Sequence, residues 1–171
     1  MTFIKHEIRP AEEKDAAQLC EIYNHYVRDT VITFELDERS KKDFEKEILE
    51  TTVKFPYLVA VQNDNILGYA YANAWREREA YKNTVESSIY MNPEFTSRGI
   101  GYHLYLNLVN TLKTQGVHSV IAGISLPNVT SVRLHEKIGF HKVAHFREVG
   151  YKFNKWVDIG YWELLMPIER K

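Results

Sequence analysis

Two stretches hold residues whose types and spacing suit chemistry. The first is Thr96-Ser97-Arg98-Gly99-Ile100-Gly101. Its two closely spaced glycines let backbone approach a ligand. A helix starting there presents unpaired N–H groups, and the positive end of its dipole, to a phosphate. Arg98 adds a mobile positive charge. The spacing is not a dinucleotide-binding fingerprint, since Leu104 stands where a third glycine belongs, nor a Walker loop, since no Gly-Lys-Ser/Thr follows. A plain glycine-bearing helix entry fits these residues as well as a phosphate cradle does. The second stretch runs from Asn128 through Ser131 and His135 to Gly139-Phe140. Taken alone, Asn128 reads as a helix N-cap and His135 as a surface histidine on a short helix. His141 and His145 have the four-residue interval of a metal-binding helix face. They fall in a strand-like stretch, where that interval spans ~13 Å. No supporting Asp, Glu or Cys spacing accompanies them, so no metal site is expected.

The chain around these stretches has 171 residues, with 22 basic and 23 acidic side chains and a formal net charge of -1. That length and balance predict one soluble domain spanning residues 1–171, and argue against a nucleic-acid partner. A hydrophobic content of 44% excludes a disordered chain. Cys20 is the only cysteine, which excludes an intramolecular disulfide and a cysteine-based zinc site. Lys5, His6, Glu7 and Arg9 interrupt any secretory apolar stretch, and no run reaches the ~18–20 residues of a membrane span. A cytoplasmic protein without membrane contact is expected.

The elements that must position the two stretches follow from periodicity. Strands are expected at His6–Pro10, Tyr57–Gln62, Ile66–Arg76, Thr84–Met91, His118–Ser125, Phe140–Val149 and Trp156–Met166. Helices are expected over the Ala16–Val27 repeat, within Asp37–Phe55 (apolar stripe Phe44, Ile48, Leu49), and at Ile100–Thr114 and Asn128–Ile138. Asn63-Asp64-Asn65 supplies a hairpin turn. The order is β-α-α-β-β-β-α-β-α-β-β, an α/β fold in which antiparallel hairpins flank one parallel crossover. Such an open sheet has a ligand crevice where neighbouring strands part.

With this order, Gly99-x-Gly101 followed by Asn128-x-x-Ser131-x-x-Leu134-His135-x-x-x-Gly139-Phe140 resembles the GNAT superfamily of acyl-CoA-dependent N-acetyltransferases. The likeness extends to its phosphinothricin and methionine sulfoximine acetyltransferase branch. It is carried by Ile22-Tyr23-Asn24, Trp75-Arg76, Thr84-Val85-Glu86, Ser88-Ile89-Tyr90 and Gly150-x-Lys152-Phe153 with Trp156 and Asp158. Thr96 replaces the superfamily's usual Gln or Arg, and Ser97 a common Gly, which removes one polar contact that Arg98 can replace. Arg78 and Ser87 stand where sulfoximine-type enzymes tend to carry an aromatic and a histidine, so a changed acceptor is expected.

The resemblance implies a mixed, mostly antiparallel sheet flanked by helices, with strands splayed at an acetyl-CoA site. It implies acetyl transfer to the primary amine of a small amino acid or analogue, by direct attack. Glu86 is the expected base and His135 the expected acid for the departing thiolate. Backbone N–H groups of Ile89, Tyr90 and Met91 are expected to hold thioester and pantetheine. Ser97, Arg98, Gly99, Ile100, Gly101 and Tyr102 are expected to cradle pyrophosphate, with Asn128 and Ser131 on pantetheine. Arg76, Arg78, Tyr81, Ser87 and Ser88 join Glu86 in the expected acceptor site, with Tyr23 and Phe34 as further candidate walls. Tyr151, Phe153 and Trp156, beside Lys152 and Lys155, could stack on nucleic acid. The neutral chain and the resemblance favour a strand connection or a contact within a homodimer instead. The alternatives are a protein or peptide acceptor for the same machinery, and a non-catalytic acyl-CoA sensor.

Overall fold

The computed structural model describes residues 5–167. Among the described residues, seven strands form one sheet in the order β1-β2-β3-β4-β5-β7-β6. They are β1 (Glu7–Pro10), β2 (Tyr57–Gln62), β3 (Asn65–Ala74), β4 (Thr84–Met91), β5 (Ser119–Leu126), β6 (His141–Lys152) and β7 (Lys155–Leu165). Four helices accompany them: α1 (Ala16–Asp29), α2 (Lys41–Thr52), α3 (Ile100–Thr114) and α4 (Val129–Ile138). Every strand pair is antiparallel except β4 with β5. The expected element order is the observed one.

Side-chain alternation gives the sheet two buried faces. Ala70, Ala72, Val85, Val120, Ala122 and Trp162 pack with the α3 stripe Leu104, Leu108 and Leu112. The opposite face carries Tyr57, Val59, Ile66 and Tyr69 against Leu19, Ile22 and Tyr23 of α1 and Phe44 and Ile48 of α2. Alternation along β4 therefore sends Val85 and Ile89 toward α3, and Glu86, Ser88 and Tyr90 toward the α1 side.

Local chemistry trims several expected boundaries. α2 lies within the expected Asp37–Phe55 span, and its start is fixed by Ser40, whose Oγ accepts from Asp43 N while Asp43 Oδ2 accepts from Ser40 N. The apolar stripe expected of α2 includes Leu49, but this residue is 55% exposed, since Phe44 and Ile48 already fill the contact with the sheet. β3 stops at Ala74, so Trp75 and Arg76 lie beyond the strand. β6 runs on past Val149 to Lys152, because Phe153 and Asn154 both take positive φ and close a tight hairpin to β7.

Candidate active site

The parallel β4–β5 ladder has only three steps, Thr84↔Ser119, Val85↔Val120 and Glu86↔Ile121. Beyond Glu86 the two strands part. Thr84 O accepts from Trp75 N, and Asn92 N donates to Leu67 O, so even-numbered residues of β4 direct their backbone to β3. Ser87, Ile89 and Met91 consequently direct theirs into the gap, where β5 no longer pairs with them, whereas the Tyr90 backbone, expected to share in holding the cofactor, is turned to Tyr69 of β3. Tyr26 OH donates to Met91 O, leaving the N–H groups of Ile89 and Met91 as the donors this edge offers.

The gap opens into a cleft of about 350 Å³ lined by Ile89, Met91, Ser97, Asn128 and Ser131, with Ile32 and Tyr26 on the far wall. The start of α3 stands at its mouth. Gly99 caps the helix with φ of 80°, and Ser97 takes φ of 60°, the left-handed conformation that explains why glycine is common at this loop position. The first turn of α3, Ile100 to Tyr102, contributes the unpaired N–H groups. Arg98 lies over the Phe95 ring, and Tyr102 stacks with Lys137 of α4, 4.4 Å from its ring centre. The rim of the cleft at the α3 start is thus positively polarised.

On α4, Asn128 Oδ1 accepts from Ser131 N at 3.1 Å. The amide is oriented by this cap, and Nδ2 is left as its donor. His135 is 3% exposed, with its ring edge-on to Tyr105 and Phe140. Nδ1 lies 2.8 Å from Ser131 O; a carbonyl only accepts, so Nδ1 carries the proton and Nε2 is an acceptor in the neutral ring. Burial lowers the His135 pKa, against the Ser131 bond that raises it. The surface position read from sequence is therefore corrected, and the form favoured at neutral pH is not the protonated donor expected of an acid.

Glu86 lies where the strands begin to part. Burial raises its pKa, and the charge of Arg76 pulls against that rise. Opposite it, Gly123 of β5 keeps space open: a Cβ there would stand 3.6 Å from Glu86 Oε1 and 3.3 Å from Tyr161 Cε1. Burial and the Glu86 charge both raise the Tyr161 pKa. Arg76 stacks 4.5 Å over Trp75, whose ring meets Tyr161 edge-on. Glu86, Arg76, Trp75 and Tyr161 thus form one cluster on the α1 side of the sheet.

Other expected acceptor residues are placed differently. Ser88 shares the Glu86 side. Ser87 points to the α3 side, where its hydroxyl lies 2.7 Å from Tyr105 OH and donates to Ile121 O at 3.3 Å. It braces the floor of the gap. Arg78 and Tyr81 line an open depression of about 610 Å³ that continues outward from Trp75 and Arg76. Phe34 is partly exposed, and Tyr23 is buried with its hydroxyl 2.7 Å from Thr33 Oγ1, so Tyr23 supports the segment above the cleft. Sequence reasoning missed Tyr161, Gly123 and Ile32. Tyr161 was within reach of strand alternation, because Trp162 faces the core and its neighbour must face away. Gly123 and Ile32 gain meaning only from tertiary contacts. Among the described residues no cluster of metal-ligating side chains occurs.

Residues 8–160 match the profile of the acetyltransferase (GNAT) domain. The chain belongs to the GNAT acetyltransferase family. As a GNAT enzyme it is an acetyl-CoA-dependent acyltransferase. It is 38% identical over 157 residues to the phosphinothricin N-acetyltransferase of Streptomyces viridochromogenes, covering 92% of this chain and 86% of that one. It is 34% identical to the L-methionine sulfoximine/L-methionine sulfone acetyltransferase of Salmonella typhimurium, covering 92% of each. Among solved structures, yncA of Salmonella typhimurium with its cofactor acetyl-CoA superposes with a TM-score of 0.94 at 30% identity, over 98% of each chain. A ribosomal-protein-alanine N-acetyltransferase from Brucella melitensis gives 0.91 at 29% identity, over 94% of this chain and 99% of that one.

Proposed function

We propose that this GNAT enzyme, acting as a single domain and a cytoplasmic homodimer, acetylates the primary amine of a small amino acid or amino-acid analogue of the phosphinothricin or methionine sulfoximine type. The observation that carries this reading is the place of Glu86. It is a half-buried carboxylate with a raised pKa, on the open side of the sheet where β4 and β5 part. The residues present fit acetyl-CoA. Ile89 and Met91 N–H groups line the gap for the thioester and pantetheine, Asn128 Nδ2 adds a donor, and the α3 start from Ser97 to Tyr102 suits the pyrophosphate.

Acetyl-CoA supplies the activated acetyl group. The chain's own part is to bring a neutral amine to it. An amine resembling that of lysine is mostly protonated at neutral pH, so a base is needed. Glu86 takes that proton directly or through water; burial makes it a stronger base than an exposed carboxylate. A backbone N–H on the β4 edge stabilises the charge that develops on the acyl oxygen. Arg76, held flat on Trp75, matches an acceptor carboxylate or phosphinate, while Arg78 and Tyr81 form the outer rim. A neutral, bonded His135 serves to position α4. A thiol with a pKa of ~8.5 leaves without an acid.

The test is CoA release with methionine sulfoximine, phosphinothricin, methionine sulfone, common amino acids, polyamines and N-terminal peptides. Turnover of an amino acid or analogue is expected. Turnover of peptides alone would favour the second reading, which the Brucella neighbour and the open depression at Arg78 support. Tight acetyl-CoA binding with no turnover would favour a sensor.

A further inference from the structure

The inner end of the gap is a small polar cavity of about 50 Å³, lined in part by Ser88, Tyr90, Gly123, Ser125 and Asn128. That is room for a water-sized group. Ser125 is 5% exposed. Its Oγ is fully enclosed and has no hydrogen-bond partner among the described residues. The other buried serines are bonded: Ser87 to Tyr105 and Ser119 to Glu163. An enclosed hydroxyl without a partner is disfavoured, so one that lines a ligand cavity points to a ligand group that satisfies it.

Its place on the strand indicates which group. Alternation along β5 puts Gly123 and Ser125 on the same face, and Gly123 is the residue against which Glu86 Oε1 lies. Two residues along a strand is ~6.6 Å. One nitrogen with a hydrogen bond of ~2.9 Å to each side spans almost that distance. The bare backbone at Gly123 leaves the intervening space free. We propose that Ser125 is a substrate-contacting residue of the acceptor site, whose Oγ accepts an N–H of the incoming primary amine and holds the nitrogen between itself and Glu86. This rests on the acetyl-transfer reading above and adds a second anchor for the amine, one that steers it toward the gap.

The test is Ser125→Ala, measured three ways. With acetyl-CoA saturating and the best amine of the panel varied, kcat/KM for the amine is expected to fall about tenfold or more, the loss of one well-placed contact. The acetyl-CoA dissociation constant is expected to stay within about twofold, since the cofactor's contacts are backbone and α4 groups. The melting temperature of the ligand-free protein is expected not to fall, because no protein–protein bond is removed. Amine kinetics within about twofold of wild type would overturn the proposal. So would a weakened acetyl-CoA affinity with unchanged amine constants, which would assign the hydroxyl to the cofactor. Absence of wild-type turnover with every amine would overturn the acetyl-transfer reading, and this inference with it.

Discussion

Replacing Glu86 by Gln keeps the side chain's size and removes its ability to take a proton. The carboxylate is on the α1 side of β4, while the groups assigned to acetyl-CoA are the inward backbone edge of β4 and the starts of α3 and α4. The two sets of contacts are on different surfaces of one strand. The variant should therefore lose turnover and keep the cofactor. A positioned base contributes ~10²–10⁴-fold, or about 2.7–5.5 kcal/mol of barrier, so kcat should drop by that range. The acetyl-CoA dissociation constant, by calorimetry, should remain within about twofold. The pH profile gives an independent check. Burial raises the Glu86 pKa, so the acid limb of wild-type kcat should lie above the ~4.3 of a free glutamate, and that limb should vanish in the variant. Stability should move the other way. A carboxyl with a raised folded-state pKa penalises the native state once pH exceeds the unfolded-state pKa, and the penalty is complete above the folded-state value. Glu86→Gln should then melt higher than wild type at neutral pH, with the gap closing as pH falls toward ~4.3. A kcat within about threefold of wild type, with the acid limb intact, would refute the base assignment.

Three further outcomes are expected. Asn128→Ala should cost ~0.5–2 kcal/mol of stability through the lost cap and also weaken acetyl-CoA binding; Asn128→Asp should keep the cap but lose affinity, which separates the Nδ2 contact from the fold in a combined melting and calorimetry experiment. Lys152 is buried and donates to Thr33 O at 2.9 Å, anchoring the segment that carries Ile32 over the cleft, so Lys152→Met should raise KM for the amine more than it lowers kcat in steady-state assays. Asp15 is buried, which by itself would raise its pKa, but the two-pronged bond from Arg9 and the Glu12 N–H bring it below the usual value. Its stabilisation is therefore complete above the unfolded-state pKa of ~3.9 and lost as pH falls through the lower folded value; Asp15→Asn should cost about 1.5–3 kcal/mol in urea unfolding at neutral pH, a difference that disappears in acid.

What could be read from the residues was what repeats. α3 and β4 have the expected ends, because Leu104, Leu108 and Leu112 mark one helical stripe and Val85 and Ile89 mark one strand face. The helix entry was legible too, since Gly99 takes the positive φ that a glycine supplies just before α3. The environment of single side chains was not. No local pattern says that α4 buries His135 between Tyr105 and Phe140, or that Tyr105 captures the Ser87 hydroxyl. These are contacts between elements distant in sequence, and they decide whether a group donates, accepts or only fills space. Trp75 and Arg76 show the same limit: they continue the apolar-polar rhythm of β3, yet the sheet ends at Ala74.

The two halves of the site are built from different materials. The side assigned to acetyl-CoA is mostly backbone: a sheet edge freed where β4 and β5 part, and a helix start capped by Gly99. Backbone groups persist through side-chain substitution, so this side is expected to keep acetyl-CoA affinity with Thr96 and Ser97 in place of other residues. The side proposed for the acceptor is made of side chains, namely Glu86, Arg76 on Trp75, and Tyr161 beside Gly123. A substitution there changes charge or shape directly without disturbing the sheet edge. Relatives that share this fold and are named for different acceptors are what such a division produces. It follows that selectivity among amines in this chain should respond to changes at Arg78 or Tyr161 while acetyl-CoA affinity stays constant. Parallel loss of both would mean that the acceptor cluster also shapes the gap.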